Sequence, residues 1–362
     1  LKEEEDFLIV TPPSWRSDIS IKEDLVEEIA RLYGYEKIPS KAFNLEINYS
    51  KNKTEETQKL RNKIKRLLVS RSIFEIITWS FTDEKVEQIL NNKNNFIKLK
   101  NPISNDLSCL RSSLLTNLIM ALKKNNNKNF DNLSFFEIGP IFYGSNSGEQ
   151  SDYICAVRSG KFYEKNWIEK DRDFDFYDIK ADLSAVLNIF GINIDNLRFS
   201  DSTKSYYHPG KSSSLYIGKE NIGFLGEINP GVVNSIEIKN KIFAFELNLT
   251  SLLKYYKNTH QSKTEIQSSL YQASKRDFSF IVSKDYYSLD IIKTIRSINK
   301  KLIKEVNIFD NYEGKNIDEG KKALGFEIVI QSDFKTMTDK EINDISNKII
   351  SEIKQKYNAK LR

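Results

Sequence analysis

Across residues 271–362 the apolar residues change period in one order, 2, then 3.6, then 2 and 2, then 3.6, and few folds accept that order. Strand-like alternation at 276–282, 305–312 and 322–331 is interrupted by helical spacing at 289–298 and followed by helical spacing from about 339 to 357. Gly314 supplies a turn between the second and third strands, and 359–361 reads as a short final strand. The resulting β-α-β-β-α-β order is the split βαβ, or ferredoxin-like, arrangement. Thr338, three residues before Glu341, is a capping box that starts the last helix.

A chain of 362 residues is too long for one domain of roughly 150 residues, so more lies upstream. Between 56 and 256, strand-like runs at 73–81, 133–143, 153–157, 222–228 and 242–249 are mixed with helical patterns at 112–124 and 177–190. Leu60, Ile64, Leu67 and Leu68 mark an amphipathic helix with a basic outer face. The irregular spacing of the strands lacks regular crossover helices and predicts an antiparallel sheet with flanking helices, an α+β core. Polar stretches at 41–55 and 257–270 read as linkers. In residues 1–40, Ser20 and Glu23 form a second capping box and predict a helix from Ile21. Its apolar face is Leu25, Val26, Ile29, Leu32 and Tyr33, and Gly34 ends it. Residues 1–12 read as the end of a unit, the expectation for a chain with a truncated N-terminus.

Several chemistries are excluded. No apolar run reaches the ~18 residues of a membrane helix, no leader opens the chain, and Cys109 and Cys155 cannot build a disulfide framework, so the sequence reads as soluble and cytoplasmic. With His208 and His260 as the two histidines and no Cys-x-x-Cys, clustered zinc sites are out. None of the 14 glycines forms Gly-x-Gly or Gly-x-x-x-x-Gly-Lys, which removes the dinucleotide and phosphate-loop fingerprints. His208-Pro209-Gly210 reads as a turn with a satisfied imidazole rather than a catalytic histidine. Net charge is uneven: 5 Lys/Arg against 10 Asp/Glu in residues 1–40, but 18 against 14 in 271–362. The basic tail suits phosphate, and the acidic start suits a cation or a basic surface.

Particular motifs narrow the reading. Pro13-Ser14-Trp15-Arg16-x-Asp18-Ile19 is followed by Glu23-Asp24-Leu25-Val26-Glu27-Glu28-Ile29-Ala30-Arg31-Leu32-Tyr33-Gly34-Tyr35 and Ile38-Pro39. Asn101-Pro102-Ile103-Ser104, Leu110-Arg111-Ser112-Ser113-Leu114-Leu115, Phe136-Glu137-Ile138-Gly139 and His208-Pro209-Gly210 come next. The tail adds Lys275-Arg276-Asp277, Phe309-Asp310-x-Tyr312-x-Gly314, Gly320-Lys321-Lys322-Ala323-Leu324 and Thr336-x-Thr338-Asp339-x-Glu341-Ile342. In content and order this resembles the beta-subunit family of bacterial phenylalanine tRNA ligases, essentially from end to end. One departure is Gln272-Ala273, where the resemblance leads one to expect a proline shortly before the Arg-Asp pair.

The resemblance implies the second half of such a subunit: the end of a metal-binding helical module (1–40), a class II synthetase-like pseudo-catalytic core (56–256) and a ferredoxin-fold anticodon-binding domain (271–362). The half that would carry an OB-fold and the editing site is expected to be missing. It further implies that Asp18, Asp24, Glu27 and Glu28 bind Mg2+ near the alpha subunit, against the bland alternative of acidic residues complementing a helix dipole. Mg2+ takes one or two carboxylates directly, so some of the four would act through water. In the core, Glu137 stands where an active class II enzyme carries a phosphate-gripping arginine, and no Gly-x-Gly-Arg motif exists, so no catalytic residue is expected here. The active site would lie in an alpha subunit, within a heterotetramer of two alpha and two beta chains. In the tail Arg276, Lys321, Lys322 and Tyr312 are the candidate contacts to the tRNA for phenylalanine, with Phe309 open between base stacking and core packing. Two rival readings are a stand-alone RNA-binding or regulatory relative, and an independent Mg2+ enzyme built on the acidic helix.

Overall fold

The structure, a computed structural model, describes residues 2–4, 6–41, 54–90, 96–163, 165–258 and 269–362. Most of both expected linkers, at 42–53 and 259–268, and His260 with them, lie outside the described residues. The chain divides into two units, 1–55 and 56–362, each taken by itself.

In the first unit β1 (Lys2–Glu4) and β2 (Phe7–Ile9) form an antiparallel hairpin. Helix α1 (Lys22–Tyr33) begins one residue later than the Ser20/Glu23 signal predicts. The cause is Asp24, not Glu23: its Oδ2 accepts the backbone N–H of Ser20 at 2.7 Å and of Ile21 at 2.9 Å. Gly34 stops the helix in a positive-φ conformation (102°) and donates its N–H to Ala30 O at 2.9 Å.

Helix α2 (Thr54–Ser70) leads into the second unit and buries Ile64 and Leu68 completely. The elements that follow are β3 (Phe74–Glu75), β4 (Phe81–Thr82), α3 (Glu84–Leu90), β5 (Cys109–Leu110), α4 (Leu114–Asn126), β6 (Leu133–Phe142), β7 (Gln150–Ser159) and α5 (Phe176–Ile189). Then come β8 (Arg198–Ser200), β9 (Tyr207–Ile217), β10 (Glu220–Ile228), α6 (Pro230–Ser235), β11 (Ile242–Asn248) and α7 (Leu249–Asn258). Seven strands form one sheet in the order β3-β6-β7-β11-β10-β9-β8. All its pairings are antiparallel except β3 with β6. Strand alternation divides the core by face. Ile154, Ala156 and Phe245 meet α2, α5 and α7 on one side, whereas Cys155, Val157 and Ala244 meet α4 on the other. The expected α+β core of helices on an antiparallel sheet is what forms.

Two expectations are corrected here. Residues 73–81 are not one strand. β3 joins the large sheet, but Thr78 then turns its N–H and hydroxyl to the Glu137 carboxylate, and β4 pairs instead with β5. His208-Pro209-Gly210 is not a turn between elements but lies within β9, at an irregularity in its pairing with β10. Proline is tolerated there because β8 reaches only Ser214–Tyr216, leaving that stretch of β9 without β8 as a neighbour.

After residue 269 come β12 (Ser274–Ser283), α8 (Ser288–Ile298), β13 (Ile303–Tyr312), β14 (Lys321–Ile330), α9 (Asp339–Tyr357) and β15 (Lys360–Leu361). The sheet order β13-β14-β12-β15, antiparallel throughout, is the ferredoxin-like order expected from the sequence. Phe280, Val282, Phe326 and Ile328 pack against Ile291, Ile295, Ile349 and Ile353 of the two helices. Each such fully buried side chain contributes about 1.5–3 kcal/mol.

Candidate functional site

Three places carry the residues singled out from the sequence. The first is the N-terminal end of α1. The Arg16 guanidinium meets both oxygens of Asp18 (Nε at 3.0 and 3.1 Å, Nη2 at 2.7 Å), and its Nη2 also reaches Glu28 Oε1 at 2.7 Å. Arg31 Nη2 takes Glu28 Oε2 at 2.6 Å. Hydrogen bonds from Arg16 and then Arg31 hold the Glu28 carboxyl at about 2, below its ordinary 4.5. Arg16 likewise lowers Asp18, and the Ser20 and Ile21 amides lower Asp24. Glu27 is exposed and has no hydrogen-bond or ion-pair partner among the described residues. Asp18 and Glu28 are therefore brought together through Arg16, while Asp24 serves the helix start. Among the described residues no three His, Cys, Asp or Glu side chains converge as a metal cage.

The second place is the sheet face under α4. Glu137, Cys155 and Glu246 lie opposite one another in register on β6, β7 and β11. All three are buried, at 3%, 0% and 3% exposure. Three consecutive residues before α4 are each clasped by a glutamate from a different element. Arg111 Nη1 donates to Glu137 Oε1 at 2.7 Å, and Arg111 Nε donates to Pro140 O at 2.9 Å. The Ser112 N–H donates to Glu87 Oε1 at 3.1 Å and its hydroxyl donates to the same oxygen, while Thr116 Oγ1 holds Glu87 Oε2 at 2.9 Å. Ser113 Oγ donates to Glu246, whose other oxygen accepts Tyr206 Oη at 2.7 Å and Tyr207 Oη at 3.2 Å. Ser113 also caps α4 by accepting the Leu115 N–H at 3.0 Å. Burial pushes Glu87 above its ordinary value, and burial together with Glu246 pushes both tyrosines up. Glu137 is thus a paired, covered charge under a helix, not an open one facing substrate. Glu87 and Glu246 went unnoticed in the sequence because they lie on separate elements far from the Arg-Ser-Ser motif.

The third place is the C-terminal sheet. Leu324, Phe326 and Ile328 of β14 point to the helices, so Ala323, Gly325 and Glu327 point away. Tyr312 and Asp310 pair with Ala323 and Gly325 and share that open face. A bulge between Ile308 and Asp310 puts Phe309 on it too. A Cβ on Gly325 would lie 2.9 Å from Phe309 Cζ, so glycine lets that ring lie flat on the strand. Arg362 stands 5.4 Å from the Tyr312 ring centre. Of the four candidates, Tyr312 and Lys321 lie on this side, with Lys321 paired to Asp318 at 2.9 Å. Arg276 and Lys322 pair in register with Ile328 and Val282 and so belong to the helix side. The Lys322 ammonium donates to Tyr286 O at 2.9 Å and Lys284 O at 3.3 Å, and Arg276 Nη1 donates to Lys275 O at 3.0 Å. Phe309 and Arg362 complete the open face. Phe309 was open between stacking and packing because the bulge breaks the period-2 count, and Arg362 was not singled out from the sequence.

A helix-flanked antiparallel core followed by a ferredoxin-like fold with an aromatic open face defines the class as an α+β chain that ends in a ferredoxin-like domain. Comparison with known proteins gives the particular family. Residues 38–249 match "Phenylalanyl tRNA synthetase beta chain CLM domain", residues 269–362 "Ferredoxin-fold anticodon binding domain" and residues 1–35 "tRNA synthetase B5 domain". The chain belongs to the phenylalanyl tRNA synthetase beta chain family. It is similar to the phenylalanine–tRNA ligase beta subunits of Rickettsia bellii (36% identity, 99% of this chain and 41% of the relative) and Rickettsia prowazekii (37%, 99% and 43%). That of Ehrlichia ruminantium strain Gardel is 37% identical over 99% of this chain and 44% of its own. The chain therefore spans less than half the length of these relatives. Among solved structures, a pyrrolysyl tRNA synthetase from Desulfitobacterium hafniense aligns with 56% of this chain and 69% of its own at a TM-score of 0.44 and 14% identity.

Proposed function

We propose that this chain serves as the beta-subunit portion of a phenylalanine tRNA ligase, supporting ATP-dependent attachment of phenylalanine to its tRNA while catalysis resides in an alpha subunit. The observation that carries the reading is the buried row Glu137–Cys155–Glu246: the sheet face is filled by α4 and its polar groups are spent on one another. The partner reading is supported by exposed apolar side chains beside the edge strand β3, namely Phe74, Ile77 and Trp79, and by the family. A cytoplasmic α2β2 assembly follows from the same reading. No helix among the described residues is long and apolar enough to cross a membrane. The division into 1–40, a linker at 41–55, a core at 56–256, a linker at 257–270 and a tail at 271–362 is supported by the two sheets and by where the family matches fall.

Mg2+ belongs to the same proposal. The hard carboxylate oxygens at the start of α1 fit it chemically. Arg16 and Arg31 offset two of the four negative charges of Asp18, Asp24, Glu27 and Glu28, leaving the charge of one divalent ion. Asp24, with one oxygen outside its amide bonds, and exposed Glu27 would meet a hydrated ion. Asp18 and Glu28, tied to Arg16, would act through water. Bound there, Mg2+ would supply charge neutralisation at a subunit junction. In the tail, tRNA contact is assigned to the open face, where Tyr312 offers stacking and Lys321 a phosphate contact. Arg276 and Lys322 would contribute from the rim.

The test is co-purification with the matching alpha subunit in Mg2+ and in chelator, with phenylalanylation measured for each chain and for both together. Association, with charging only when alpha is present, is the expected result. Chelator-sensitive association lost in Asp24→Ala/Glu27→Ala would assign the ion. RNA binding with no alpha association would favour a stand-alone RNA-binding relative, and charging by this chain alone would overturn the proposal.

A further inference from the structure

A cavity away from these sites holds a guanidinium with free donors that the family reading does not use. It measures about 690 Å3 and lies where the end of α2, the strands β6 and β7, and the start of α5 meet. At its base Asp182, fully buried, accepts from two guanidiniums at once. Arg158 gives Nε to Oδ2 at 2.6 Å and Nη2 to Oδ1 at 3.1 Å, and Arg71 gives Nε to Oδ1 at 2.6 Å. Arg158 is itself spent, donating also to Arg71 O at 2.8 Å and Ser134 Oγ at 3.3 Å. At the rim, Lys161 pairs with Asp171 and Arg172 with Asp178. Asp173 and Asp175 add further carboxylates beside Lys161 and Arg172, so what sets the base apart is one carboxylate serving two arginines.

Of the two, Arg71 lines the cavity with about one third of its side chain exposed. Its Nη1 and Nη2 have no partner among the described residues. Two adjacent guanidinium nitrogens form the fork that matches a planar carboxylate bidentately. Asp182 occupies only the Nε edge of Arg71, so a carboxylate ligand would take the two terminal donors it leaves free. The volume far exceeds a bare anion and falls in the range of small-molecule sites. Phe162, Phe174 and Tyr163 give it an aromatic wall, Phe174 being backed by Arg158 and Phe162 by Arg172.

We propose that this cavity binds a small monocarboxylate with an aromatic or apolar body, its carboxylate held in the Arg71 fork and its body against the Phe162/Phe174 wall. The site is separate from the aminoacylation reading and stands without it.

Calorimetric titration of the whole chain tests it with four probes: phenylacetate, acetate, benzyl alcohol and inorganic phosphate. Phenylacetate is expected to bind at least tenfold more tightly than acetate or benzyl alcohol, each of which lacks one half of the ligand. Arg71→Gln should weaken it at least tenfold. That variant keeps the Arg158–Asp182 pair one to one, and an unchanged circular dichroism melt verifies its fold. Arg66→Gln, an exposed position on α2 that does not line the cavity, should bind as wild type. Phenylacetate binding that survives Arg71→Gln, or no binding of phenylacetate by the wild type, overturns the proposal. Phosphate binding as tightly as phenylacetate overturns the carboxylate assignment.

Discussion

Arg111 shows what a single residue decides in this chain. At 2% exposure it meets Glu137, also buried, and without it that carboxylate would be left charged beneath α4. Removing one partner of such a pair costs about 3–5 kcal/mol, much of it from the charge left behind. Arg111→Met should lower the free energy of unfolding in urea by that amount, and Arg111→Met/Glu137→Gln should recover part of the loss. Glu87 gives a pH signature of its own. Burial raises its folded pKa above 4.5, so between 4.5 and the raised value the native chain holds the proton more tightly than the unfolded chain. Its contribution is most favourable at acid pH and falls as pH rises through that window. Glu87→Gln should therefore gain on wild type as urea midpoints are followed from pH 4 to 8; a constant difference would refute the assignment. The sequence displayed Arg111, Ser112 and Ser113 as a motif but not their three glutamate partners, because 25, 26 and 133 residues separate the members of these pairs.

At the scale of elements, periodicity carried far and its failures have local causes. The last helix was legible to the residue, since Thr338 accepts the Glu341 N–H at 3.4 Å while Glu341 Oε2 accepts the Thr338 N–H at 3.0 Å. Thr338→Ala should cost about 1 kcal/mol in stability, read as a lower thermal midpoint of the C-terminal sheet, whereas Thr338→Ser should retain most of it. Lys335 and the Thr338 amide hold Glu341 at about 2. The cap's electrostatic part is therefore complete above the ordinary 4.5 and fades as pH falls from there through about 2. At α1 the same motif misled by one residue, because Asp24 stands beside Glu23 and its shorter side chain takes both free amides. β9 was hidden by Pro209-Gly210, a sound turn signal in isolation that an unshared strand edge can absorb. The segment 73–81 has strand composition throughout, yet Thr78 finds the Glu137 side chain and leaves the ladder.

On the scale of the whole molecule, charge and burial divide the work. The core hides its thiols and its glutamates: burial holds Cys109 at about 12 and raises Cys155 well above the usual thiol range. Under the proposed function, the surface offered to tRNA would lie instead on the open face of the C-terminal sheet and along its rim. The sequence supplied the candidates Arg276, Lys321, Lys322 and Tyr312 as one group, and strand alternation splits them between two faces. That split makes their contributions measurable separately. Bases stacked on an exposed aromatic are worth about 1–3 kcal/mol each, so Tyr312→Ala should weaken binding of the tRNA anticodon stem-loop by roughly 10-fold or more at fixed salt. Its slope against salt should not change, because no phosphate contact is removed. Lys321→Ala should instead flatten the slope by about 0.7–0.9, the contribution of one phosphate contact, with less than tenfold loss at moderate salt. Lys322→Ala should have the smallest effect of the three, since its ammonium is already held by the carbonyls of Lys284 and Tyr286. Fluorescence anisotropy with the labelled stem-loop at several salt concentrations reads all three. A Lys322 effect on the slope as large as that of Lys321 would place the RNA on the helix side of the sheet rather than on the face that carries Phe309 and Tyr312.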